Sequence, residues 1–385
     1  MSAFLSLLTE GLRIVVAIFL FLATPVTALV GLFRPTPEAK PLKLGAYYWD
    51  GWYEPLDQWT DRLLNEFADR EPEWGWLSAG VENMEMQIDL AADHGLEFFS
   101  FCWYYPEHGW LNPMNLAADR FMAAGNNDRM EFCLLVANHS GALIYADTWH
   151  DAVERFMPYL TSERALKVDG KPVIIFFSAG ELKKGLGGEK QTREALDYLR
   201  AECVKAGLAG CYVIGCTGSE RNRGGDITSF FFDWKVSDQN NRALGFDALS
   251  GYNYHRQTQP SGEYEYPFRQ LSADYELTWR MMARHSRLPY MPVLNGGWDC
   301  RPWEVGDNPS RSCYSPDRTP EDFYNHVLAA AQWTKKNPGT SAGGLAIYYA
   351  WNEMGEGGYL LPTVGEGDAA LKAIAAALET ARACP

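Results

Sequence analysis

Residues 344–359, GLAIYYAWNEMGEGGY, begin as an apolar run and end in a turn crowded with glycine. Gly344–Trp351 shows no sustained alternation of polar and apolar residues, which marks a strand buried on both faces of a parallel sheet. Seven earlier runs read the same way: Leu44–Tyr48, Leu96–Trp103, Glu131–Asn138, Pro172–Ser178, Tyr212–Thr217, Phe246–Tyr252 and Met291–Gly296. Helix signals fill the intervals. Met84, Ile88, Ala91 and Ala92 recur near helical spacing within Glu82–His94, and Gly95 stops them. Thr192–Ala206 runs into Gly207. Thr319 is placed to cap a helix that starts at Pro320 and buries Phe323, Val327, Ala330 and Trp333. Eight strands alternating with helices predict an α/β fold, and the count favours a single-domain (β/α)8 TIM barrel over an open doubly wound sheet. No Gly-x-Gly-x-x-Gly follows the first strand, which removes the usual reason to expect a dinucleotide fold. The long irregular stretches Asp50–Gly80, Gly218–Leu244 and Gly296–Pro316 follow strands 1, 5 and 7, where a barrel carries the loops of its active face.

The barrel is expected to occupy residues 43–385. Ahead of it, residues 14–32 form an uncharged, mostly apolar run just long enough to span a bilayer. Residues 1–34 therefore read as a signal peptide or a membrane anchor, and the proline-rich residues 35–42 as a linker. Both readings predict export, with the barrel secreted, periplasmic or anchored outside the cytoplasm. Export makes a Cys300–Cys313 disulfide reasonable and a pairing of Cys203 with Cys211 or Cys216 feasible. Cys102 and Cys133, in strand-like runs, read as core thiols. The net charge of −15, with no cluster of Lys or Arg, argues against nucleic acid as a partner. The 14 Trp, 20 Tyr and 19 Phe include several bunched directly after strands. Rings with apolar faces and polar tips suit sugars, so a glycan or polysaccharide is the expected partner. No spacing of His or Cys fits a catalytic metal, and no cofactor is expected.

Glu353 and Glu356 stand at the C-terminal end of the eighth strand, where barrel enzymes place catalytic groups. On a continuing strand these side chains would face opposite ways. Gly355, Gly357 and Gly358 must therefore turn the chain sharply to bring the two together. Cleaving a glycosidic bond requires one protonated and one ionised carboxyl. Neighbouring carboxyls split their pKa values, because joint ionisation is disfavoured. Substrate contacts are expected from Tyr47, Tyr48, Trp49 and Asp50 after strand 1, Trp103 and Tyr104 after strand 2, and Asn138 and His139 after strand 3. Tyr252, Asn253, Tyr254 and His255 end strand 6, and Asn295, Trp298 and Asp299 end strand 7. Trp351, Asn352 and Tyr359 flank the carboxyl pair itself.

The Trp351-Asn352-Glu353-Met354-Gly355-Glu356-Gly357 core, with Gly45-Ala46-Tyr47-Tyr48-Trp49 and Gly245-Phe246-Asp247-Ala248, resembles glycoside hydrolase family 99 and related bacterial polysaccharide-locus proteins. The resemblance spans most of Lys43–Pro362, and that family includes endo-α-mannosidases. It implies a (β/α)8 barrel and a retaining mechanism with no enzymic nucleophile. In such a mechanism the first glutamate takes a proton from the sugar 2-hydroxyl, which attacks the anomeric carbon to form a 1,2-anhydro sugar. The second glutamate protonates the leaving oxygen. The resemblance thus implies Glu353 as base and Glu356 as acid. His139 stands where many polysaccharide-locus relatives carry an acidic residue. The expected function is a glycoside hydrolase acting on α-mannosidic or similar linkages. Two other readings stand beside it: a glycosyltransferase of polysaccharide biosynthesis, against which the lack of any Asp-x-Asp pair counts modestly, and a non-catalytic carbohydrate-binding barrel.

Overall fold

A computed structural model describes residues 38–53, 58–77, 79–106, 113–139, 141–217, 242–255, 265–303 and 313–383. The apolar runs become β1 (Lys43–Tyr48), β2 (Phe98–Trp103), β3 (Glu131–Val136), β4 (Lys171–Phe176), β5 (Tyr212–Cys216), β6 (Ala248–Ser250), β7 (Val293–Asn295) and β8 (Leu345–Tyr349). All eight pair in parallel, in the order β6-β5-β4-β3-β2-β1-β8-β7. The ends of that order meet through a parallel bridge between Leu249 and Tyr290. Leu249 N donates to Pro289 O and Met291 N to Leu249 O, both at 2.9 Å. The chain is a (β/α)8 barrel.

β7 is shorter than its apolar run for a simple reason. Pro289 and Pro292 have no N–H to give a ladder, so they contribute only carbonyls, Pro292 O accepting from Ile347 N at 2.9 Å. The helices of eight or more residues are α1 (Val81–Asp93), α2 (Leu116–Ala123), α3 (Trp149–Leu160), α4 (Ala179–Leu186), α5 (Glu189–Lys205), α6 (Phe268–His285), α7 (Pro320–Lys336) and α8 (Ala369–Ala383). Thr319 caps α7 as expected, its Oγ1 accepting from Asp322 N at 3.3 Å. Where one helix was expected between β4 and β5 there are two. Ser178 caps α4, and Gly187 at φ 91° ends it before α5 begins.

Outward-facing strand residues and the helices enclose a layer of aromatic rings. Phe101 meets Phe121 at 5.6 Å, Phe121 meets Phe132 at 5.2 Å, and Trp103 meets Phe156 of α3 at 4.9 Å. Each buried ring stabilises the fold by roughly 1.5–3 kcal/mol. Residues Ala39–Pro385 form one compact unit.

Two expectations from the cysteines are corrected. No disulfide is formed among the described residues, so neither the Cys300–Cys313 bridge nor the Cys203 pairing is made. Cys216 faces Tyr47 inside the barrel, its sulfur 3.8 Å from the hydroxyl, whereas Cys203 rides on α5. Cys203 and Cys211 are buried thiols, and Cys211 Sγ donates to Pro172 O at 3.4 Å. The apolar run 14–32 lies outside the described residues, among which no helix is long and apolar enough to cross a membrane.

Candidate active site

After Tyr349 the chain folds back on itself. Asn352–Glu353 (β9) pairs antiparallel with Gly358–Tyr359 (β10) across one 3-10 turn, Met354–Glu356. Gly357 holds φ at 71°, a left-handed conformation that disfavours side chains. At Gly358 an added Cβ would lie 2.5 Å from the Tyr349 ring. This turn carries both carboxyls into one aromatic cluster. Tyr252 donates its hydroxyl hydrogen to Glu353 Oε1, and Tyr349 donates to Glu356 Oε2.

Electrostatics follow from burial. Removal from water pushes the Glu353 carboxyl well above the usual carboxylate range, and the charge of Glu356 pushes it further, while the Tyr252 hydrogen bond offsets part of the rise. Burial raises Glu356 as well, against the opposing pull of Tyr349. Among the described residues no Lys or Arg forms an ion pair with either group. Coupled in this way, the pair titrates as a unit. It retains a proton at pH values where isolated carboxyls have lost theirs, which is the state that supplies one acid and one base.

A collar of rings surrounds the pair, built from residues at or just beyond the strand ends. Trp49 Nε1 donates to Tyr104 Oη at 3.1 Å. Tyr104 then meets His139 at 5.9 Å, His139 meets Phe177 at 5.6 Å, and Phe177 meets Tyr252 at 5.2 Å. Tyr252 meets Tyr349 at 5.0 Å, Tyr349 meets Trp298 at 6.1 Å, and Trp298 stacks on His255 at 3.8 Å. His255 Nδ1 lies 2.9 Å from Asn253 Oδ1, and burial pushes the imidazole down to about 4, so the ring is neutral at ordinary pH. Tyr47 joins from inside the barrel, 5.0 Å from Tyr252, donating its hydroxyl to Gly251 O at 2.8 Å.

Several residues expected to touch substrate are occupied elsewhere. Tyr48 packs outward against Phe99 and Phe101, Trp103 against Phe156, and Trp351 against Phe99 with its Nε1 on Gln87 Oε1 at 2.7 Å. Successive strand residues face opposite ways, so only one of each adjacent aromatic pair can enter the site. Tyr254 is buried against Tyr275, its hydroxyl 2.6 Å from that of Tyr290. Tyr359 lies under the Arg318 guanidinium at 3.6 Å. Asp50 accepts from Ala117 N at 2.7 Å near the start of α2 and pairs with Arg120. Asn295 accepts from Gly297 N and donates to Ser272 Oγ.

Asp299 is enclosed by Arg70 and Arg301. Burial opposes its charge, but the Arg301 hydrogen bonds and the two guanidinium charges prevail and hold its carboxyl below the usual range. Arg70 Nη1 also donates to Met354 O at 3.0 Å and Asp299 O at 3.1 Å, and Asp299 N donates to Glu356 O at 2.6 Å. This buried ion pair thereby fixes the turn that carries Glu356.

Asn138 and Asn352 each spend their amide on the backbone N–H and C=O of a single residue. Asn352 accepts from Trp49 N and donates to Trp49 O, both at 2.8 Å, and Asn138 binds Ser178 N and O at 3.0 and 2.7 Å. Asn115 treats Tyr104 likewise, at 2.7 and 2.8 Å. Four groups near the pair were not expected from the sequence: Tyr349, read only as part of the eighth strand although it closely precedes the hairpin, and three more. Phe177 stands one residue after β4, a position that offered a signal. Arg70 came from a loop with none. Cys102, read as a core thiol, has its sulfur 3.9 Å from the Tyr252 hydroxyl.

Residues 77–374 match the family model described as Glycosyltransferase WbsX. A protein described as "Uncharacterized protein WxcX", from Xanthomonas campestris pv. campestris, is 23% identical over 90% of this chain and 51% of its own length. The chain thus spans about half the length of the curated relatives it matches. A solved structure described as a glycoside hydrolase-like protein is similar at TM-score 0.60 and 15% identity, over 90% of this chain and 97% of that one. The GH99 endo-alpha-mannosidase from Bacteroides thetaiotaomicron is similar at TM-score 0.57 and 14% identity, over 88% and 97%. At these identities the structural likeness is one of fold.

Proposed function

The chain belongs to the family described as Glycosyltransferase WbsX, and on that footing we propose that it is a glycan-active enzyme that hydrolyses α-mannosidic or similar linkages with retention. One observation carries the reading: a buried carboxyl and a half-buried one, each held by a tyrosine hydroxyl, share one aromatic collar at the C-terminal mouth of the barrel. In the first half-reaction Glu353 removes the proton of the sugar 2-hydroxyl. The freed oxygen attacks the anomeric carbon, closing a 1,2-anhydro ring, while Glu356 gives its proton to the departing oxygen. In the second half-reaction Glu356 takes a proton from water as that water opens the ring, and Glu353 returns a proton to the 2-oxygen. Proximity of the 2-hydroxyl replaces an enzymic nucleophile.

The family's description favours a second reading, glycosyl transfer. The same pair serves it if a sugar hydroxyl, in place of water, opens the anhydro ring. Incubating the chain with α-mannans and bacterial polysaccharides, with Glu356→Gln as control, separates the two. Shortened products that incorporate labelled water support hydrolysis, lengthened ones support transfer. Equal products from parent and control would remove the acid role of Glu356. The apolar run 14–32 supports export, which cell fractionation tests.

A further inference from the structure

The collar continues outward at one point. Trp49, half-buried and bonded through its indole to Tyr104, meets Trp52 edge-on at 5.4 Å and 88°. Trp52 is 1% exposed and donates its Nε1 to Asn352 O at 2.7 Å, so it is a support and not a contact surface. On its other side lies Trp76, 5.8 Å away and half-buried. Two partly open indoles therefore flank one closed indole, and that closed indole is bonded to the residue before Glu353.

The segment carrying Trp76 is fastened to the stretch beyond the carboxyl hairpin. Pro72 and Thr363 form an antiparallel bridge, Glu73 N donates to Pro362 O at 3.1 Å, and Val364 N donates to Glu71 O at 2.8 Å. Leu360 N and Leu361 N in turn donate to Trp351 O, at 3.0 and 3.2 Å. A surface tied at both ends to the carboxyl-bearing segment is preorganised for a ligand, and ordering it on binding costs little. The net charge of −15 disfavours an anionic occupant, and flat apolar faces favour a ring with an uncharged C–H face.

Resting on the glycan-active reading, we propose that Trp76, together with Trp49, forms a further sugar-binding subsite that grips a neutral pyranose ring of the glycan chain beyond the sugars at the cleaved bond. The collar holds the reacting sugar, Trp49 passes the chain outward, and Trp76 stacks on a ring further along it.

Calorimetric titration of the full chain carrying Glu356→Gln with neutral α-linked manno-oligosaccharides of increasing length tests this. Affinity should rise with length, and Trp76→Ala should weaken the longest ligand by about tenfold while leaving the disaccharide unchanged. Trp76→Phe should restore most of the loss, which a folding defect would not. Binding that is independent of length, or unaffected by Trp76→Ala, overturns the subsite and leaves the glycan reading in place. Failure of every oligosaccharide to bind overturns both.

Discussion

Tyr252 and Tyr349 divide the carboxyl pair between them. Their rings meet at 72°, yet one hydroxyl serves Glu353 and the other Glu356. Each hydrogen bond favours the ionised form of its own partner, so each tyrosine lowers the proton affinity of the coupled pair. Tyr252→Phe and Tyr349→Phe should therefore each move the pH–rate profile to higher pH, because the shared proton is held more tightly. A profile that stays in place in both variants would mean that the two hydroxyls do not tune the pair.

Glu353→Gln and Glu356→Gln should each lower turnover by about 10²–10⁴-fold and leave glycan affinity within a few-fold. Single-turnover assays beside equilibrium binding give the comparison. Retained turnover in both variants would remove both carboxyls from the chemistry, and no turnover in the parent either would favour a site that only binds.

Glu353 also costs stability. Its pKa is raised in the folded chain, so between about 4, the unfolded value, and that raised value the native state holds more protons. Stability therefore falls as pH rises through that window. Glu353→Gln should melt higher than the parent at pH 8, by roughly 2 °C per kcal/mol gained, and show almost none of this gain near pH 4. A pH-independent difference in scanning calorimetry would contradict the burial argument.

Arg70→Met should destabilise the chain by about 3–5 kcal/mol, because it removes one partner of a buried ion pair. It also frees Met354 O and loosens the Glu356 turn, so kcat of the remaining folded enzyme should fall more than KM changes. Denaturant titration and steady-state kinetics at low temperature measure both effects.

Gly358→Ala should act through Tyr349. The new Cβ would press on that ring, displacing its hydroxyl from Glu356 and moving the pH–rate profile upward as Tyr349→Phe does. An unchanged pH–rate profile would mean that the hairpin absorbs the methyl.

The barrel was legible because parallel strands covered on both faces write themselves as uninterrupted apolar runs, and each of the eight observed strands falls within or within a residue of its run. The same covering erased the inward and outward alternation. Tyr47 and Tyr48 read alike in the sequence, although one enters the barrel and the other packs against Phe99. The hairpin around Glu353 and Glu356 was readable from its glycines. The fates of Asn138, Asn352 and Asp299 were not, since their partners are peptides and guanidinium groups distant in sequence. Phe177 stood one residue beyond β4, a place that offered a signal, but it sat within the apolar run that ends in Ser178.

The three asparagines that each grip the backbone of one residue have a broader consequence. Where the regular ladder stops at the barrel's rim, an amide group carries its pairing one step further and pins the root of a loop at Trp49, Tyr104 or Ser178. Each anchor fixes where and in what direction a loop leaves the scaffold. Loop tips are thus free to diverge in length and sequence, and with them the choice of ligand, while the reactive groups stay in register.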